Sequence, residues 1–327
     1  MDHWTRIEAA IAGQPTDRTP VALWRHFPVD DQDPAKLAAR TLEWQRAWDF
    51  DLVKFMPSGT YSVEDWGAVS VWENMPNGAR AVSVTGVKVP EDWATLRTLD
   101  PRKGVLGAQN ASLATAAKEL KGSVPILQTV FSPLTTARKL AGEALFTHLR
   151  QHPEALEAGL RVITDTTIAF GEQALAAGAH GFFFATQLAT HDFLTPAEYE
   201  RFGRRYDLEF FAALQGKAKL NMFHLHGENV MFDLAASYPV EMLNWHDRLT
   251  APSLKEALGR FKGALVGGVE ERGLLVSGSD AAVRAQVRDA VAQTGGRRLI
   301  VGPGCVCGIA APQQNLRAVL EETQNKA

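Results

Sequence analysis

Short apolar or β-branched runs alternate with longer amphipathic stretches along nearly the whole chain. The runs Pro20 to Trp24, Leu52 to Met56, Val124 to Phe131, Gly181 to Thr186, Leu220 to Phe223, Met242 to Trp245, Ala264 to Gly268 and Leu299 to Val301 have the length and residue types of strands. Helical spacing predicts helices over Pro34 to Trp48, Ala108 to Leu120, Pro153 to Ala177, Pro196 to Leu214, Ser253 to Phe261 and Asp280 to Thr294. In the third of these, Leu156, Leu160, Ile163 and Phe170 form one core-facing stripe. Asp280 and Gly295 read as the start and stop signals of the last one. Between Trp66 and Val89 the rhythm breaks: Val69, Val71, Ala81, Val82 and Val84 flank Pro76-Asn77-Gly78, which predicts a β-hairpin inserted after the second strand.

Eight strands alternating with helices predict an α/β fold, a (β/α)8 TIM barrel, because parallel neighbours need crossover helices and a closed ring has no sheet edges. A doubly wound open sheet is the alternative. Its dinucleotide-binding form is disfavoured, since no GxGxxG turn follows the first strand. No linker, repeat or low-complexity segment interrupts the chain, so residues 1–327 read as a single domain.

Composition narrows the function classes. With 46% hydrophobic and 22% charged residues in 327, the chain is neither disordered nor fibrous. No apolar run approaches the ~18 residues a spanning helix needs, and Met1-Asp2-His3-Trp4-Thr5-Arg6 opens with charge instead of a signal-peptide core, so the expected location is cytoplasmic. The net charge of −3 comes without a basic block, which argues against nucleic-acid and membrane partners and for a small-molecule substrate. The two cysteines, Cys305 and Cys307, are too close for a structural disulfide and suit a reducing compartment.

In a barrel, reactive side chains are expected at the carboxyl ends of strands. The fifth strand runs into His224-Leu225-His226-Gly227, where alternation points both imidazoles to one side. The eighth runs into Gly302-Pro303-Gly304-Cys305-Val306-Cys307, which presents a thiol at the mouth. His224, His226 and Cys305 make a three-ligand zinc set with an open fourth position; one buried and one exposed histidine of no chemical role is the alternative. Cys307 would alternate onto the same side and could substitute for Cys305. The sixth strand ends in Asn244-Trp245-His246-Asp247-Arg248, where His246 could serve as a general acid or base oriented by a carboxylate. At the seventh, Glu270 could be a fourth ligand or a base, and at the first, Arg25 could hold a substrate carboxylate or phosphate. Lys54 is an inward candidate and Tyr61 a candidate donor beyond the second strand.

Taken together, Arg18-Thr19-Pro20-Val21 through Arg25, Phe131-Ser132-Pro133, Leu194-Thr195-Pro196 with Phe202, and Gly302-Pro303-Gly304-Cys305 with Pro312 and Asn315 resemble the uroporphyrinogen decarboxylase superfamily over almost the whole chain. That superfamily includes zinc-dependent methyltransferases that work with methylated corrinoid proteins. The resemblance implies a (β/α)8 barrel with its cleft at the strand carboxyl ends. Its decarboxylases carry two arginines after the first strand and an Asp after the second; here Arg25 matches the first arginine, while His26-Phe27-Pro28-Val29-Asp30 and Pro57-Ser58-Gly59-Thr60 lack the rest. Its methyltransferases hold zinc with His-x-Cys-Gly and Pro-Gly-Cys. His224-Leu225-His226-Gly227 replaces that cysteine by a second competent ligand, and Pro303-Gly304-Cys305 matches as it stands.

The resemblance therefore implies zinc on His224, His226 and Cys305, with Glu270 or His246 nearby. The activity it implies is methyl transfer between a corrinoid carrier and a small thiol-type nucleophile, with methylcorrinoid as donor and a corrinoid protein as partner. Decarboxylation of a tetrapyrrole, with Arg25 on a carboxylate, is the second reading. A barrel that binds a corrinoid or tetrapyrrole without turnover is the third. The oligomeric state is left open, a homodimer included.

Overall fold

The computed structural model describes residues 1–324. In chain order its strands are β1 (Val53–Phe55), β2 (Val69–Val71), β3 (Ala81–Val84), β4 (Ile126–Phe131), β5 (Gly181–Thr186), β6 (Leu220–Leu225), β7 (Met242–Trp245), β8 (Ala264–Val269) and β9 (Leu299–Pro303). Seven of them form one sheet in the order β1-β4-β5-β6-β7-β8-β9, every pair parallel. The antiparallel pair β2–β3 is the hairpin expected after the second strand, with Val69 opposite Val84.

The ring is closed by the segment where the first strand is expected. Val21 bridges to Val301 of β9, Val301 N donates to Pro20 O, and on the other side Asp51 N donates to Val21 O at 2.9 Å. The contact stays a single bridge because Pro20 has no N–H to donate and the Val21 N–H goes to the Asp51 carboxylate at 2.9 Å. The expected (β/α)8 architecture is thus present, with a first stave too short to form a ladder.

Every residue of β4 to β9 is buried except Phe131, as expected of parallel strands covered on both faces. Alternation divides them. Phe182 and Phe184 face the helix layer, whereas Phe183, Ala185, Met222, Val266 and Ile300 fill the barrel. The helix His3–Ile11 closes the barrel floor, with Ile7 and Ala10 packed among those interior residues. It is tied down by Asp51, a fully buried carboxylate that accepts from Arg6, Arg18 and His3. Burial pushes the Asp51 carboxyl up, but the hydrogen bonds from His3, Arg18 and the Val21 N–H outweigh it and leave the group below its ordinary value.

The expected helices over Pro34–Trp48 and Asp280–Thr294 form with those bounds, and the long helix covers Pro153–Ala176. Ser279, one residue earlier than expected, caps the Asp280–Thr294 helix; Gly295 ends it at φ 62°. The stretch Pro196 to Leu214 is not one helix. A π turn at Glu200–Arg204 separates Pro196–Tyr199 from Arg205–Ala213. In an ideal α-helix, residues eight apart are displaced by about 80° round the axis, and one extra residue reduces this to about 20°. That correction lets Tyr199 share a buried site with Asp207, whose Oδ2 accepts from the hydroxyls of Tyr199 and Tyr238. Among the described residues no helix is long and apolar enough to cross a membrane.

Removing the carboxylate in Asp51→Ala leaves Arg18 without a carboxylate partner, Arg6 with Asp17 alone and the Val21 N–H unbonded, and is expected to cost about 3–5 kcal/mol in urea unfolding. A loss below about 1 kcal/mol would show that the floor of the barrel does not depend on this cluster. Because the folded-state carboxyl titrates below its unfolded value, its contribution is present at neutral pH and is lost as pH falls through the folded-state value.

Candidate metal centre

The cluster begins with the two-residue period of β6. Met222 points into the barrel, and His224 follows on the same side. His226 lies just past the strand, but its N–H still donates to Thr186 O of β5 at 3.0 Å, which carries the alternation one residue further. Gly227, at φ 101°, then turns the chain away. On β7, Asn244 stands beside His224 in register, and His246 follows it on the inward side. Cys305 arrives from β9 through Gly304. A Cβ at Gly304 would lie 2.8 Å from His246 Cα and 2.9 Å from a Glu271 oxygen, so only glycine lets the chain pass this close.

One ligand atom each from His224, His226, His246 and Cys305 lies within 4.8 Å of the others. His226 Nδ1 is 3.5 Å from the Cys305 sulfur and 3.4 Å from His246 Nε2. The tautomers follow from the neighbours. Asn244 donates from Nδ2 to Val266 O and Pro303 O, so its Oδ1, 2.6 Å from His224 Nδ1, must accept there. His224 is therefore protonated at Nδ1, and its buried Nε2 has no partner. Similarly, Glu271 accepts from His246 Nδ1 at 2.7 Å and from Gly304 N at 3.1 Å, which leaves the His246 Nε2 lone pair toward the cluster. Arg272 Nη2 is 3.5 Å from that nitrogen. A ligand histidine whose other nitrogen donates to a fixed acceptor is the arrangement that metal sites use.

Burial, reinforced by the neighbouring histidines, holds His224 far below its ordinary value and His226 down at about 3, so both are neutral ligands at physiological pH. Burial pushes the Cys305 thiol up to about 11, partly offset by Lys54. Without a cation the cluster is thus uncharged at sulfur. A bound metal ion would replace the thiol proton.

Other expected site residues fall elsewhere. Glu270 is not in the cluster: its carboxylate accepts the N–H groups of Arg272, Gly273 and Leu274 and caps the helix Leu274–Ser277. Past the end of β8 the two-residue period lapses, and Glu271, absent from the sequence reading, faces inward instead. The carboxylate next to His246 in sequence, Asp247, turns away to accept from Gly268 N. Cys307 is fully buried in the outer core, its N–H bonded to Trp24 O, because residues 304–307 do not continue the strand. Arg25 leaves the barrel interior altogether. Its guanidinium lies 5.9 Å from the Phe27 ring centroid and 5.8 Å from that of Trp44, in a separate cleft of about 420 Å³. The Tyr61 hydroxyl is committed to Thr129 O. Lys54 does face inward, on a cavity of about 280 Å³ that also touches His224, His226 and Cys305.

A family profile for uroporphyrinogen decarboxylase (URO-D) matches residues 3–325. The chain is similar to methylcobamide:CoM methyltransferase MtaA of Methanosarcina barkeri (strain Fusaro / DSM 804), with 24% identity over 97% of this chain and 96% of that protein. Its fold is similar to that of a methyltransferase from Methanosarcina mazei, with a TM-score of 0.85 and 20% identity over 99% of this chain and 98% of the other. A B12-independent methionine synthase from Shewanella sp. W3-18-1 shares the fold at a TM-score of 0.56 and 14% identity, covering 96% and 97% of the two chains.

The two thiols should behave differently in folded, chelator-treated protein. Iodoacetamide at pH 9 is expected to alkylate the Cys307→Ser variant slowly, at Cys305, and to leave Cys305→Ser unmodified. Labelling of native Cys305→Ser would contradict the burial of Cys307.

Proposed function

The chain belongs to the uroporphyrinogen decarboxylase family and is an enzyme of that superfamily, and we propose that it is a zinc-dependent methyltransferase acting between a corrinoid carrier and a small thiol-type nucleophile. One observation carries the reading: three imidazoles and a thiol converge, two of the imidazoles with their Nδ1 protons already committed to Asn244 and Glu271. The unpartnered, buried His224 Nε2 is costly unless something binds it, and a nitrogen and sulfur donor set suits zinc over the oxygen-seeking cations. His224, His226 and Cys305 are the ligands in this reading, with methylcorrinoid as the methyl donor and a corrinoid protein as partner. The curated relative's name, a methylcobamide methyltransferase, supports the same direction.

Zinc in such a site would lower the pKa of a thiol entering its open position and hold the sulfur ready to accept a methyl group. The protein's own groups do the rest. Asn244 keeps His224 in the tautomer that offers Nε2. His246 Nε2 takes the proton of the incoming thiol, and the Glu271 carboxylate stabilises the imidazolium that results. Phe183, stacked on His224 with ring centroids 5.2 Å apart, walls the cavity and keeps water from one side of the cluster. The reading places the enzyme in the cytoplasm, where a reducing environment preserves Cys305 as a free thiol. Tetrapyrrole decarboxylation is less well supported, because Arg25 does not line this cavity.

Elemental mass spectrometry on tag-free protein is expected to find about one zinc per chain in wild type and in Cys307→Ala, and little in His226→Ala or Cys305→Ala. His246→Ala should keep the metal and lose about 10²–10⁴-fold in the rate of thiol-dependent methylcobalamin demethylation. Metal-free wild type that also refuses added zinc would overturn the reading.

A further inference from the structure

The cavity above the cluster is lined by Lys54, Lys139 and Arg80, and no carboxylate lines it. Each cation comes from a different element: Lys54 from β1, Lys139 from the helix Pro133–Ala141, and Arg80 from the segment leading into β3. Among the described residues none of the three is within ion-pair distance of an Asp or Glu, whereas most arginines on the surface are so paired. Lys54 is buried, with Nζ 3.7 Å from the Phe183 ring centroid and 5.3 Å from that of Trp24. The Lys139 ammonium lies 3.8 Å from the Phe131 centroid and donates to Gly59 O. Arg80 is braced by Ser70, which accepts from Nε through Oγ and from Nη2 through its carbonyl, and this leaves Nη1 unbonded.

Cation–π contact recovers less than withdrawing an ammonium from water costs. Burial without a counter-ion accordingly pushes Lys54 down to about 7 and Lys139 to about 8. Three basic groups from three separate elements thus face one cavity without a carboxylate to pair with.

We infer that the small substrate of this site carries a dianionic oxyacid group, a phosphate monoester or a pair of carboxylates, held by Lys54, Lys139 and Arg80. The inference rests on the methyltransferase reading, in which the substrate's nucleophile reaches the cluster while its anionic end occupies the lysine side. A dianion suits the site better than a single negative charge, because three basic side chains face it and negative charge beside them favours their protonated forms. Arg80 makes the inserted hairpin a determinant of specificity.

The test is calorimetry on zinc-loaded, tag-free protein at constant ionic strength, with inorganic phosphate, succinate, acetate and chloride as probes. Phosphate or succinate is expected to bind at least tenfold more tightly than acetate or chloride, and whichever of the two binds better identifies the source of the charge. Lys139→Met and Arg80→Met should each weaken that binding at least tenfold with zinc content unchanged, and Lys139→Arg should restore most of it. Three results would overturn the inference: no dianion binding, equal binding of acetate, or binding that survives the Met variants and disappears on chelation, which would put the anion on the metal. If wild type holds no zinc yet dianion binding depends on the lysines, the methyltransferase reading fails and the anion site stands.

Discussion

Closure of the parallel ring is the constraint on which the site depends. β6 and β7 are neighbours, so His224 and Asn244 meet through simple register, but Cys305 follows β9, two strands further round. Only the curvature that joins β9 to β1 through Val21 brings its sulfur within 3.5 Å of His226. That closure rests in turn on Asp51, which supplies the bond the Val21 N–H would otherwise lack and ties the floor helix to the barrel. A carboxylate at one end of the barrel and a thiol at the other therefore share one geometric cause.

At the mouth, two electrostatic environments lie side by side. His224 and His226 are neutral because they are buried and crowd one another, and the ring orientations of His224 and His246 are fixed by Asn244 and Glu271. A few ångströms away, Lys54 and Lys139 lie without carboxylate partners, facing aromatic rings. The first environment is arranged for a cation and the second for an anion. A substrate with a neutral nucleophile at one end and negative charge at the other would satisfy both.

Much of this was legible in the sequence, for a physical reason: parallel strands buried on both faces leave apolar runs, and a period of two places His224 and His226 together. The same rule misled where strands end. Glu270 and Cys307 sit beyond β8 and β9, where the period lapses, so Glu271 took the position expected of Glu270, and Cys307 turned into the outer core. Arg25 points outward because the alternation holds: Ala22 and Trp24 fill the barrel, so Arg25 falls on the outer side with Val21 and Leu23. Asn244 lay in a polar run already singled out, but its role depends on a cross-strand neighbour that spacing along one strand does not reveal. Lys139 gave no signal at all, since it reaches the cavity from a helix face and not from a strand end.

The central claim is that Cys305 and the strand-end histidines together bind one metal ion that takes up a substrate sulfur. X-ray absorption on the zinc-loaded protein tests it most directly. The account predicts one sulfur at about 2.3 Å with nitrogen neighbours at about 2.0–2.1 Å, and a second sulfur when a thiol acceptor is added. A shell of oxygen and nitrogen alone, unchanged by thiol, would contradict it.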